Sequence, residues 1–230
     1  LEDAIDHIHA LLPGEFKDED SRRESFKYLS CHYSWYSRYG EKGNGAPTDA
    51  HPDNLRKAHG GRVNWNQRGP HQSKEILQNP REYTLLAEAY TDFFELLRIA
   101  FKHYLPSQYD EVHIYADSLP LGASSPAYPF GGFVVNISAC SWGHRDELDK
   151  VMCFIVPGGK FKGGQLCMYE TGFSFDLQVG DVLAFPSCDL THFNQHYQGY
   201  RTTLVLHSDR EGDAWADNCS GWGAYVVRHE

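Results

Sequence analysis

Four residues in the second half of the chain have the types and spacing of a metal centre with a bound acid. His144 and Asp146 stand as His-x-Asp in Gly143-His144-Arg145-Asp146. In an extended segment residues i and i+2 project to the same side, so an imidazole and a carboxylate can reach one ion. A third ligand is needed. His192 is the favoured candidate, because it follows the strand-like run 182–185 and precedes the apolar run that starts near Arg201. His196, four residues later, is the rival and lies closer to Arg201. Two imidazoles and one carboxylate on one face leave other coordination positions open, which is the ligand set of non-haem Fe(II) centres that activate oxygen. Taken alone, His-x-Asp is also the pattern of a surface turn with a local hydrogen bond. Arg201 adds to it. A cation entering an apolar interior needs an anionic partner. A dicarboxylate cosubstrate bound to the metal would provide one, and Arg offers it two parallel donors. Thr203 lies on the same side of that strand and adds a hydroxyl. Asn136, the polar residue of Phe-Val-Val-Asn-Ile, is either a further cosubstrate ligand or a core amide satisfied by its neighbours. His207, Asp176 and Asp181 read as structural or turn residues.

The elements that must position these groups are short. From residue 132 onward, apolar runs alternate with glycines at 133–137, 151–156, 165–169, 173–177, 182–185 and 202–206. Short strands at such spacing indicate a sandwich or barrel. A hairpin is expected through Gly163-Gly164. Upstream, Asn79-Pro80 opens a long helix, with Asn79 as cap and Glu82 three residues on. Leu85, Leu86, Ala89, Phe93, Leu96, Leu97, Ala100 and Tyr104 continue it at helical spacing. Pro106 is expected to close it, and Val112, Ile114 and Tyr115 to begin a strand. Residues 119–130 read as a loop. Residues 1–12 fit a short amphipathic helix, and 38–80 show no lasting periodicity. The reading is one domain over 1–230, mostly β with flanking helices. A helical and irregular part over 1–106 covers a core over 110–210.

The chain has 230 residues, 41% of them apolar and 23% charged, so a disordered or collagen-like chain is excluded. No run of 18 apolar residues occurs, so no membrane partner is expected. A signal-peptide pattern is missing at the N-terminus. None of the six cysteines forms a CxxC pair, which argues against a zinc knuckle, and Cys140, Cys153 and Cys167 read as core thiols in an intracellular protein. The net charge of -10 argues against a non-specific nucleic-acid coat. The charge is uneven, however. Residues 21–74 carry ten Lys or Arg against four Asp or Glu, leaving -16 on the remainder. Tyr28, Tyr33, Trp35, Tyr36, Tyr39 and Trp65 lie within that basic segment. Aromatics among cations serve as stacking platforms beside phosphates, or simply anchor a solvated loop to the core. Arg22, Arg23, Arg56, Lys57 and Arg62 are the candidate phosphate contacts.

The ordered set His144-Arg145-Asp146, Gly163-Gly164, Phe175-Asp176-Leu177, Gly180-Asp181-Val182-Leu183-Ala184-Phe185, His192 and Arg201 resembles the Fe(II)/2-oxoglutarate-dependent dioxygenases of the double-stranded β-helix fold, a jelly-roll, cupin-like core. More narrowly it resembles the TET/JBP type, the thymine and 5-methylcytosine oxygenases, in its small fungal members. The resemblance spans about residues 110–210. It implies that His144, Asp146 and His192 bind iron, and that Arg201 binds the distal carboxylate of 2-oxoglutarate. It also implies Fe(II), 2-oxoglutarate and O2 as cofactors, and DNA containing 5-methylcytosine or thymine as the substrate; an intracellular monomer, acting in the nucleus, is expected. The alternative within the same chemistry is a hydroxylase acting on RNA, a peptide or a small molecule.

Overall fold

The computed structural model describes residues 19–22, 28–35, 72–119 and 125–218. The expected helix over 1–12 and most of the irregular segment 38–80 lie outside the described residues.

Two antiparallel sheets face each other. The larger contains β1 (Glu19–Asp20), β2 (Leu29–Ser34), β3 (Gly132–Ile137), β4 (Cys153–Gly163), β7 (Leu183–Phe185) and β9 (Tyr197–His207), in the order β2-β3-β9-β4-β7 with β1 also on β9. The smaller contains β5 (Leu166–Met168), β6 (Phe173–Phe175) and β8 (His192–Asn194), in the order β6-β5-β8. Among the described residues this is the mostly-β core with flanking helices expected from the sequence. The strongest pairing joins β4 and β9 over ten residues, from Phe154↔Leu206 to Gly163↔Tyr197.

Alternation along these strands sorts the side chains between two faces. Phe133, Val135 and Ile137 of β3, Leu204 and Leu206 of β9, and Phe154 and Val156 of β4 pack into one buried cluster with the helices. The intervening residues Val134, Asn136, Arg201, Thr203, Val205, Cys153 and Ile155 line a cavity on the other face. Cys153 and Ile155 also meet Leu166, Met168 and Phe185 in a second buried cluster, which joins the two sheets.

Four helices cover the first face: α1 (Lys74–Gln78), α2 (Pro80–Ala89), α3 (Thr91–Tyr104) and α4 (Pro106–Ser118). The run expected as one helix from Pro80 to Tyr104 is broken at Tyr90, which is 2% exposed and packs on Phe94 and Phe133. Asn79 precedes α2, with Pro80 at its first position, but its side chain makes no capping bond. Leu96 and Tyr104 are exposed rather than core. The strand expected from Val112 is a helix, because Pro106 opens α4 instead of only closing α3. Tyr109, Val112, Tyr115 and Ala116 are buried at helical spacing, while Ile114 faces outward.

The hairpin also moves. Gly163 and Gly164 (φ +83° and +78°) carry the chain from the large sheet to the small one, a left-handed path that favours glycine. The hairpin joins β5 to β6 instead. Following His207, a short 3-10 turn (Arg210–Gly212) leads into α5 (Asp213–Asn218).

Phe101 is the pin of this arrangement. It is 1% exposed, stacks on Phe130, and meets Tyr109 and Phe154 edge-on. Phe101→Ala is expected to lower the unfolding free energy by about 3–5 kcal/mol in a denaturant titration. A loss below about 1 kcal/mol would mean that the helices are not anchored to the sheet through this ring.

Candidate metal centre

The metal-binding geometry begins with the backbone. His144 and His192 form an antiparallel bridge, with His144 N donating to His192 O at 3.1 Å and His192 N donating to His144 O at 2.9 Å. Residues directly opposite in such a pair project to the same side. The two imidazole centroids consequently lie 4.4 Å apart. Two residues on from His144, the Asp146 amide donates to Ser187 O at 3.0 Å. Asp146 Oδ2 then lies 3.6 Å from His192 Nε2. One ligand atom from each of His144, Asp146 and His192 falls within 4.8 Å of the others, and no other such group occurs among the described residues.

Both rings are oriented from behind. His144 Nδ1 lies 2.8 Å from Trp142 O and His192 Nδ1 lies 3.0 Å from Leu190 O. A carbonyl can only accept, so each Nδ1 carries the proton and each Nε2 keeps a free lone pair for a metal. His192 is buried, and burial lowers its pKa below the ordinary histidine value, with the nearby His144 adding to this. The neutral imidazole is the form that binds metal. Phe185 packs edge-on against the His192 ring at 5.0 Å.

The middle residue of His-x-Asp points away from the centre and ties it to the small sheet. Arg145 donates to Thr191 Oγ1 at 3.0 Å and to Glu170 Oε1 at 2.6 Å. Glu170 accepts in turn from the Thr191 amide and hydroxyl. These bonds, the Thr191 hydroxyl foremost and Arg145 next, bring the Glu170 pKa down to about 2. The clamp therefore stays ionised far into acid. It links the segment carrying His144 and Asp146 to the residue just before His192.

Arg201 sits in the wall of the same cavity, 3% exposed. Its guanidinium lies over the rings of Phe161 and Tyr197, at 5.4 and 5.7 Å. Nη1 reaches Ala139 O at 3.4 Å, and Nε has no hydrogen-bond partner. No carboxylate pairs with it among the described residues. Burial lowers its pKa from the usual value, yet a guanidinium remains protonated in proteins. Gly164 leaves space beside it, since a Cβ there would come within 3.2 Å of Arg201 Nε. Thr203 and Asn136 face each other in register on β9 and β3 and line the cavity, and the Ser30 hydroxyl bonds Asn136 Oδ1.

The rival His196 does not join the group. It is exposed, and its Nδ1 lies 3.1 Å from Ser21 Oγ. Cys153 and Cys167 are buried as expected. Cys140 is half-buried in the cavity wall, so it is not a core thiol. Asp181 serves its turn by accepting from the Gln178 amide at 2.7 Å. His207 is buried and bonds Asp149, but it also lines the cavity, and Ser187 holds the other oxygen of Asp149. Of the five basic candidates only Arg22 is described, and it is exposed. Arg23, Arg56, Lys57 and Arg62 lie outside the described residues.

Several cavity residues escape the sequence reading. Ser30 and His32 come from β2, where Leu29-Ser30-Cys31-His32-Tyr33-Ser34 alternates strictly between apolar and polar. That pattern was a legible strand signal inside the basic segment. Asp149 gave no signal beyond an acidic turn. The cavity measures about 570 Å³, within the range of small-molecule sites.

No family model and no curated protein matches the sequence. Solved structures do. NgTET1 in complex with 5mC DNA aligns with a TM-score of 0.51 at 19% identity, over 61% of this chain and 55% of that one. The chain shares that fold. A 2OG-Fe(II) oxygenase family oxidoreductase from Burkholderia pseudomallei aligns at 14% identity with a TM-score of 0.38, over 90% of this chain and 77% of that one. The chain thus spans about half the length of NgTET1. The double-stranded β-helix expected from the sequence is the architecture observed, and the His–Asp–His donor set is the one that suits non-haem Fe(II).

His144→Ala, Asp146→Ala and His192→Ala should each abolish stoichiometric Fe(II) binding in anaerobic calorimetry, whereas His196→Ala should retain it. Retained binding in folded His192→Ala would remove it from the ligand set.

Proposed function

We propose that the protein is an Fe(II)- and 2-oxoglutarate-dependent dioxygenase that hydroxylates the methyl group of 5-methylcytosine or thymine in DNA. The observation that carries the oxygenase reading is the buried Arg201, a cation with no carboxylate partner among the described residues, in the wall of the cavity that holds the His–Asp–His group. A buried unpaired charge is costly, and a bound dicarboxylate removes that cost. His144, Asp146 and His192 would hold the iron through two Nε2 atoms and one carboxylate oxygen. Arg201 would hold the distal carboxylate of 2-oxoglutarate, assisted by the Thr203 hydroxyl and the Asn136 amide. The bound iron, with 2-oxoglutarate and O2, supplies the oxidant that converts a C–H bond to C–OH. Cys153, Ile155, Leu166 and Val205 give the cavity apolar walls beside the reacting groups.

The substrate assignment rests on the resemblance to the TET/JBP type, on the fold shared with a protein solved in complex with 5mC DNA, and on the charge of residues 21–74. A methyl group inside duplex DNA cannot reach a cavity wall, so the base must leave the stack. Arg22, Arg23, Arg56, Lys57 and Arg62 would hold the flanking phosphates, with the -16 remainder of the chain turned away from the duplex.

Arg201→Leu is expected to weaken 2-oxoglutarate binding a hundredfold or more while Fe(II) still binds, since loss of a buried charged pair costs about 3–5 kcal/mol. Unchanged 2-oxoglutarate affinity by calorimetry would refute the pairing. Methylated and thymine-containing oligonucleotides incubated with iron and 2-oxoglutarate should gain the mass of one oxygen. Neutralising the five basic residues should lower DNA affinity and flatten its salt dependence. Efficient turnover of a peptide or metabolite, with no oxidised base, would overturn the DNA assignment and leave the oxygenase class standing.

A further inference from the structure

Trp142 is 93% exposed, the most exposed of the large apolar side chains among the described residues. Trp is highly buried on average, so an indole left in solvent is unusual. This one has a definite place. It lines the cavity, and its own carbonyl accepts the proton of His144 Nδ1 at 2.8 Å, with only Gly143 between the two residues. The backbone of Trp142 is therefore fixed relative to a candidate iron ligand, while its ring makes no aromatic contact with the other described residues. A second exposed aromatic, Tyr28, lines the same cavity just before β2.

We infer that Trp142 is the stacking platform that receives the planar ring of the substrate at the cavity mouth and holds it over the metal centre. The inference rests on the nucleobase reading above and specifies how the base is held. The walls further in suit the cosubstrate: Arg201, Thr203 and Asn136 are polar and would take its carboxylate. None of them offers a flat apolar face. Trp142 does, next to the ligand His144 and accessible from solvent, where a base swung out of a strand must arrive. Indole stacking is tolerant of base identity because every base has a π face. Trp142 thus supplies affinity for a flipped ring without choosing between cytosine and thymine, and that choice falls to polar groups deeper in the cavity. The hydrogen bond from His144 to the Trp142 carbonyl fixes the backbone that carries the platform beside a candidate iron ligand.

The test compares DNA containing 5-methylcytosine with the same DNA carrying an abasic site at that position, by fluorescence anisotropy with Fe(II) and 2-oxoglutarate under anaerobic conditions. Wild-type protein should prefer the base-containing DNA, and Trp142→Ala should lose that preference by roughly tenfold to a hundredfold. Affinity for abasic DNA and for 2-oxoglutarate should stay within about twofold. Trp142→Phe should restore part of the preference, which a purely structural role would not predict. Undiminished preference in Trp142→Ala would overturn the stacking role alone. Wild-type protein that binds neither DNA would overturn the nucleobase reading and this inference with it.

Discussion

Two backbone hydrogen bonds between His144 and His192 hold the centre together. They attach a loop to the outer edge of β8, whose other edge pairs with β5 through Met168↔His192. Antiparallel pairing sets the two imidazoles side by side, and the step to Asp146 returns a carboxylate to the same face. The Nδ1 contacts to Trp142 and Leu190 then fix both tautomers. Every one of these constraints is a main-chain interaction or a contact to the main chain. The donor geometry is thus a property of the fold, and the side chains have little orienting entropy left to lose on binding metal.

The Arg201 side of the cavity follows from a different constraint. Ten paired residues of β4 and β9 hold Arg201 in the large sheet, opposite Gly159. Alternation turns Arg201, Thr203, Val205 and His207 toward the cavity and sends Thr202, Leu204 and Leu206 the other way. The helices are needed because that second face is apolar. Phe101, Phe94 and Tyr90 cover it, and their removal would expose the back of the strands that carry the site. Packing distant from the centre is in this way linked to its geometry.

Much of this was legible in the sequence, for identifiable reasons. The strands from 132 onward are short, apolar and bounded by glycine, so their positions were readable even where their ends shifted. His144, Asp146 and Arg201 stood out as polar residues at the borders of apolar runs. Other features depended on tertiary contacts. Val112, Ile114 and Tyr115 look like a strand in a five-residue window, and only the wider spacing from Tyr109 to Ala116 reveals a helix. No glycine or proline marks the break at Tyr90, where packing against Phe133 overrides local propensity. His192 was favoured over His196 by its place between two strand-like runs, and the reason it meets His144 is the register between segments about 50 residues apart. Asp149, Ser187 and His207 come together from three separate segments, and no local pattern announces them.

Under the proposed function the His–Asp–His group and Arg201 act on one ligand, with 2-oxoglutarate spanning from the iron to the guanidinium. Anaerobic addition of 2-oxoglutarate to the Fe(II)-loaded protein tests it most directly, by visible absorption. A 2-oxo acid chelated to Fe(II) gives a metal-to-ligand charge-transfer band that neither component shows alone. The band should appear at one equivalent of 2-oxoglutarate in wild-type protein. Arg201→Leu should require far more 2-oxoglutarate to reach the same band. Stoichiometric Fe(II) binding with no band at saturating 2-oxoglutarate, or a titration indifferent to Arg201, would contradict it.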